Sequence, residues 1–140
     1  MQRLIDYFTL NQSVEQEYQH FELQFDAPLP ADLQGTIFRN GNGRFVHQGV
    51  RYDHLFDGDG MVTKFTFRDG RAYYSNRYVQ TDEWQAEEAA GKMLYRSFGT
   101  NLPGGIWSNA LKTQFKNASN TSVIWHGGKL LSLWEGGWPH

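Results

Sequence analysis

The side chains able to carry a reaction in this chain are 15 carboxylates and five histidines, with no cysteine. Thiol nucleophiles, disulfides, iron–sulfur clusters and cysteine-held zinc are therefore excluded. His20, His47, His54, His126 and His140 lack the i, i+4 spacing by which a helix offers two imidazoles to one ion, so an all-histidine site within the chain is not expected. Asp57-Gly-Asp-Gly60 has the look of a calcium loop. An EF-hand starting at Asp57, however, needs an oxygen ligand at its fifth position and a glutamate at its twelfth, where Met61 and Arg68 stand. A tight turn is the better reading. Phosphate cradles fail in the same way: Gly41-Asn-Gly43 is followed by Val46 in place of the third glycine and by no helix. Gly99 to Gly104 has P-loop spacing, but Gly105 and Ile106 replace the Lys and the Ser/Thr. There is no Gly-x-Ser-x-Gly elbow. Glu135 differs from the other carboxylates because it ends an apolar strand between Trp134 and Gly136. Two readings stand for it: a strand-end glutamate facing water, or a partly buried carboxylate that must be paired, for which the N–H of a metal-bound imidazole is one partner.

The elements that would position these groups are mostly strands. Met61–Phe67 places Met61, Thr63, Phe65 and Phe67 on one face, Asp69-Gly70 turns, and Arg71–Val79 returns, which predicts a hairpin. Thr121–Trp125, the turn His126-Gly-Gly128 and Lys129–Glu135 predict a second. Phe21–Phe25 alternates as a half-buried strand, residues 28–35 read as a turn, and Thr36–Arg39 is a short strand stopped by Asn40-Gly-Asn-Gly43. Thr81 or Asp82 caps a short helix over Glu83–Ala90 that Gly91 ends, Gly99–Ala110 reads as a loop, and a short helix is expected within residues 1–20.

Composition agrees. Aromatic residues make up 16% of the 140, with 15 glycines and 20% charged residues, which argues against disorder and coiled coils and for a β-rich fold with many turns. A net charge of −2 leaves no electrostatic footprint for nucleic acid. The start is broken by Arg3 and Asp6, unlike a signal peptide, so a cytoplasmic location is expected and the sequons at Asn11, Asn117 and Asn120 predict no glycan. The final apolar strand is followed by no polar tail, and the chain is read as cut from something longer.

Several segments together resemble the carotenoid cleavage oxygenases, whose relatives include stilbene-cleaving dioxygenases and the retinoid isomerase of the eye. They are Leu29-Pro-Ala-Asp-Leu-Gln-Gly-Thr-Ile-Phe-Arg-Asn-Gly41, His54-Leu-Phe-Asp-Gly-Asp-Gly-Met-Val62 with Asn76-Arg-Tyr-Val79, and Asn117-Ala-Ser-Asn-Thr-Ser-Val123 through Gly127-Gly-Lys-Leu-Leu-Ser-Leu-Trp-Glu-Gly136. They lie in the family's order and cover roughly residues 28–136. Asn42 departs from a usual proline and Leu55 from a common tryptophan.

The resemblance implies an all-β chain that forms roughly the first two blades of a seven-bladed β-propeller, as antiparallel hairpins with one short helix, residues 1–140 being the N-terminal part of a single domain. It implies an Fe(2+)-dependent dioxygenase that cleaves a double bond of a carotenoid or apocarotenoid polyene with O2 into two carbonyls. Glu135 would be the carboxylate that orients a histidine ligand, which decides between its two readings. Thr121 would stand beside the open coordination face of the iron. The four histidine ligands are expected downstream of His140, so no metal ligand is expected here and the segment alone is expected to be inactive and either poorly folded or associating. The residues Met93, Leu94, Tyr95, Phe98, Leu102, Ile106 and Trp107 supply either a peripheral membrane contact or, the preferred reading, packing against a neighbouring blade. The alternatives are a non-enzymatic propeller-derived interaction module without iron, a stilbene-cleaving member of the family, and an isomerase of the same fold.

Overall fold

A computed structural model describes residues 11–110 and 114–140. The strands are β1 (Phe21–Glu22), β2 (Gly35–Asn42), β3 (Val46–His47), β4 (Val50–Arg51), β5 (Gly60–Arg68), β6 (Arg71–Tyr78), β7 (Ser122–His126) and β8 (Lys129–Leu133), with helices α1 (Asp82–Ala90) and α2 (Gly105–Asn109) and a single 3-10 turn at Leu55–Asp57. β1-β6-β5-β2 form one antiparallel sheet, while β3–β4 and β7–β8 form two-stranded sheets.

Both expected hairpins are present. Asp69-Gly70 and Gly127-Gly128 are their two-residue turns, all four residues at positive φ between 54° and 77°, the geometry whose twist matches the flanking strands. β5 pairs with β6 from Met61↔Tyr78 to Arg68↔Arg71, and Phe65 packs on its partner Tyr74 with ring centroids 5.1 Å apart. α1 begins where expected: the Thr81 hydroxyl accepts the Trp84 N–H at 3.1 Å, and Gly91 closes the helix at φ 61°.

Four expectations are corrected. β2 runs through its predicted stop, because Asn40, Gly41 and Asn42 pair with Val62, Met61 and Gly60 of β5 and find their ladder partners there. The loop Gly99–Ala110 contains α2, held by the Asn109 carboxamide, which bonds the Leu102 N–H and carbonyl at 2.9 Å each. β1 is two residues long rather than five. Residues 11–20 contain no helix, and the rest of the helix expected within residues 1–20 lies outside the described residues. Residues 13–18 instead lie across the sheet end: Asn76 accepts the Tyr18 N–H at 2.7 Å and donates to the Gln16 carbonyl at 2.9 Å.

Among the described residues, buried polar side chains outnumber buried apolar ones. The apolar core is small, with Tyr52, Met93 and Leu102 packed against Val50. The interior is held by a hydrogen-bonded polar network in which most members are paired, His47 Nε2 and Ser97 Oγ being among the exceptions.

Candidate functional site

Thr121 leads into β7, and its amide donates to the Leu133 carbonyl of β8 at 3.0 Å. Past the end of β8 the chain turns, with the Gly137 N–H donating to the Trp134 carbonyl at 3.4 Å, and Glu135 comes back over Thr121. The Thr121 hydroxyl donates to Glu135 Oε2 at 2.8 Å, so the two residues singled out from the sequence do meet. Their burial does not follow expectation: β8 stops at Leu133, two residues short, and the Glu135 carboxylate is exposed.

The pair lies in an open cleft of about 650 Å³. Gly41, Asn42 and Phe45 line it from the end of β2, Leu55 and Phe56 from the 3-10 turn, and Asn120, Thr121, Trp134 and Glu135 from the second hairpin. Glu135 is the one titratable side chain among these lining residues, and Phe45, Leu55, Phe56 and Trp134 make the surface largely apolar. A neutral, flat, apolar ligand suits such walls. The two departures noted in the sequence also meet here, since the Asn42 carboxamide donates to the Leu55 carbonyl.

Lys116–Asn120, the approach to Thr121, is buried along its whole length. Lys116 Nζ lies 2.5 Å from Asp59 Oδ1, 2.7 Å from Glu87 Oε2 and 2.7 Å from the Tyr52 hydroxyl. Burial alone would lower the Lys116 pKa, but Asp59 foremost, with Tyr52 and Glu87, outweighs it and raises the pKa above the usual lysine range, so the ammonium stays charged. Glu87 also accepts the Leu94 and Tyr95 N–H groups at 2.8 and 3.2 Å. Ser119 adopts the left-handed region at φ 45°, supported by its N–H to Asn117 Oδ1 at 3.1 Å. Asn40 ties β2 to this segment through Ser119 O at 2.9 Å, Ser122 O at 3.1 Å and Ser132 Oγ at 2.9 Å.

The remaining candidates have structural duties. Asp57 accepts from Gly99 N at 3.0 Å and Thr100 Oγ1 at 2.6 Å, and Asp59 is taken by Lys116, so the apparent calcium loop is occupied by protein donors. His20 stacks on Tyr73 at 4.1 Å, His54 lies edge-on to Phe56 and Phe98, and His47 is buried beside Arg44. No group of three His, Asp or Glu among the described residues is placed for a metal ion. Sequence reading missed Lys116, Asn40 and Asn120. Asn40 and Asn120 lie in segments that carry the family resemblance, but nothing in the local pattern of residues 117–122 beyond the crowding of Asn and Ser marks what their side chains hold.

A family model described as "Retinal pigment epithelial membrane protein" matches residues 11–140. The chain belongs to that family, the carotenoid oxygenases. Apocarotenoid-15,15'-oxygenase of Synechocystis sp. is 42% identical over 131 residues, spanning 92% of this chain and 27% of the relative. Lignostilbene-alpha,beta-dioxygenase isozyme III of Sphingomonas paucimobilis is 33% identical over 120 residues, 81% of this chain and 23% of the relative. Cobalt-substituted Synechocystis apocarotenoid oxygenase superposes with a TM-score of 0.91 at 40% identity, over 97% of this chain and 29% of that one. The fold is therefore a portion of the carotenoid oxygenase propeller, and the chain spans about a quarter of the length of these carotenoid oxygenases. Other solved forms of the Synechocystis oxygenase carry a Thr→Ala, a Trp→Ala and a Glu→Gln replacement. Those positions follow one another at intervals of thirteen and one, as Thr121, Trp134 and Glu135 do here.

Proposed function

We propose that this chain forms one wall of the reaction site of an oxygenase that cleaves a carbon–carbon double bond of an apocarotenoid or carotenoid. One O2 is consumed, and one of its oxygen atoms is placed on each of the two carbonyl products. The observation that carries the reading is the Thr121–Glu135 hydrogen bond at the rim of an apolar cleft, in a chain that superposes on metal-containing apocarotenoid oxygenase.

The described residues supply no metal-ligand set, so no step is assigned to a metal held by them. In the whole protein Fe(2+) would be held by histidines outside this chain and would supply the activation of O2. The chain's own share is narrower. Glu135 holds the Thr121 hydroxyl through Oε2, and its Oε1, without a hydrogen bond among the described residues, is the acceptor open to an imidazole N–H. Thr121 holds its methyl and hydroxyl at one fixed orientation, and Phe45, Phe56 and Trp134 provide the apolar surface for a polyene.

In the full-length protein, Glu135→Gln is expected to lower kcat/KM for a polyene aldehyde about 10–100-fold, with a matching loss of metal affinity. In metal-free full-length protein the thermal midpoint is expected to stay within about a degree or two, because glutamine keeps the size of the side chain and an acceptor for the Thr121 hydroxyl. Unchanged turnover and unchanged metal content would remove Glu135 from the site. A second substrate class, the lignostilbenes, is favoured by the 33% identity to the Sphingomonas enzyme. Turnover of a lignostilbene but not of an apocarotenal by the full-length protein would decide for it.

A further inference from the structure

One wall of the cleft is made by Leu55 and Phe56, which lie in a 3-10 turn and not in a strand. Phe56 is 66% exposed, so the packing of its own ring does not fix where this wall stands. The wall is held by its backbone. Asn120, buried at 6% exposure, places both N–H bonds of its carboxamide on this turn, donating to Phe56 O at 2.8 Å and to Gly58 O at 2.7 Å. Asn42, at the end of β2, donates to the Leu55 carbonyl, one residue before Phe56. Asn120 is also the residue immediately before Thr121. One side chain therefore brackets the two walls of the cleft together across 62 to 64 positions of sequence.

We infer that Asn120, with Asn42 as its counterpart on the β2 side, is a positioning residue that sets the width of the cleft between Phe56 and Thr121, and so selects the bulk of the substrate end group that enters. Resting on the reading of the chain as part of a polyene-cleaving oxygenase, the inference adds a determinant of specificity. An asparagine that served only to satisfy buried carbonyls would affect stability alone. An asparagine that spaces two walls also affects which ligand fits, because pockets discriminate by shape at the level of single methylene groups.

The test compares two polyene aldehydes of equal conjugation on the full-length protein, one ending in an acyclic isoprenoid and the other in a trimethylcyclohexene ring. Asn120→Ser and Asn42→Ala are each expected to shift the kcat/KM ratio about tenfold toward the ringed substrate. The shift should come more through KM than through kcat. Phe56→Ala, which removes the wall's own ring, is expected to shift the ratio in the same direction, and adding Asn120→Ser to it should change the ratio no further. A parental ratio in both asparagine variants, with Phe56→Ala shifting it, overturns the inference. So does a further shift in the double variant, which would place the action of Asn120 elsewhere. If Asn120→Ser does not fold, Asn42→Ala carries the same comparison. If the parent cleaves neither aldehyde, the proposed function fails and not this inference. The same ratio is then read from the two dissociation constants, by quenching of tryptophan fluorescence, with the same criteria.

Discussion

Lys116 places an ammonium where no solvent reaches it, between Asp59, Glu87 and Tyr52. Removing it with Lys116→Met leaves Glu87 buried without its cation and Asp59 with only Arg44 at 3.4 Å, and the expected loss in chemical denaturation of the full-length protein is about 3–5 kcal/mol. The folded-state pKa of this lysine is raised, so its contribution is complete below the unfolded value near 10.4. It is lost only as pH climbs through the folded value, beyond the neutral range. His47 carries the opposite sign. Burial first, and the Arg44 charge next, lower its pKa, and Arg44 NH1 sits 2.6 Å from Nδ1. The stability that depends on its neutral form is present above about pH 6.5 and drains away as pH falls toward the folded value. The denaturation midpoint should therefore drop between about pH 7 and pH 5, and His47→Gln should flatten that drop; an equally steep drop in the variant would acquit His47. Little of this was legible in the sequence. A lone lysine between Phe115 and Asn117 carries no period, and its partners are distant in the chain. Glu135 and Thr121 were legible through the family resemblance, but the exposure of Glu135 depends on where β8 ends, which spacing does not reveal.

At the scale of elements, both hairpins were readable because alternation and a two-residue turn are local signals. The predicted stop at Asn40-Gly-Asn-Gly43 failed for the complementary reason. Those residues have turn chemistry of their own, but β5 offers Val62, Met61 and Gly60 as ladder partners, and the Asn40 side chain is drawn to β7 and β8. Tertiary pairing overrode local preference. α2 escaped notice because no side chain caps its start, which is Gly104-Gly105 at positive φ, and the Asn109 carboxamide ties its far end back to Leu102. Gly60 illustrates a constraint that no period displays. It pairs with Asn42, and a Cβ there would run into the Ser119 backbone carbonyl, which belongs to the segment leading to Thr121. Gly60→Ala is expected to cost about 1–3 kcal/mol of stability. Because the Gly60 N–H bonds the Ala118 carbonyl at 2.8 Å, the variant should also raise amide exchange around residues 118–121; unaltered exchange there would show that the two segments are not coupled.

The whole molecule is polar where most domains are oily and apolar where most are wet. Phe98, Ile106 and Trp107 are 79, 82 and 92% exposed, and Asn109 anchors the short helix that presents two of them. The exposure of this apolar group is shared by two readings, packing against a neighbouring part of the whole protein and a peripheral contact with a lipid surface, and no helix among the described residues is long and apolar enough to cross a membrane. On the lipid reading, phosphatidylcholine vesicles should sediment the full-length protein, and Ile106→Ser with Trp107→Ser should leave it in the supernatant. Equal sedimentation of both would assign the three side chains to packing within the protein. Lys116, finally, bears on time as well as energy. It reaches Glu87 across 29 positions and Tyr52 across 64, so its site is complete only after distant parts of the chain have converged. A charge enters a dry site only when both carboxylates are in place, and it leaves only when all three groups are rehydrated together. The protein should accordingly unfold slowly, with its lifetime set by the rewetting of one amine, and Lys116→Met should raise the unfolding rate of the full-length protein far more than it lowers the folding rate.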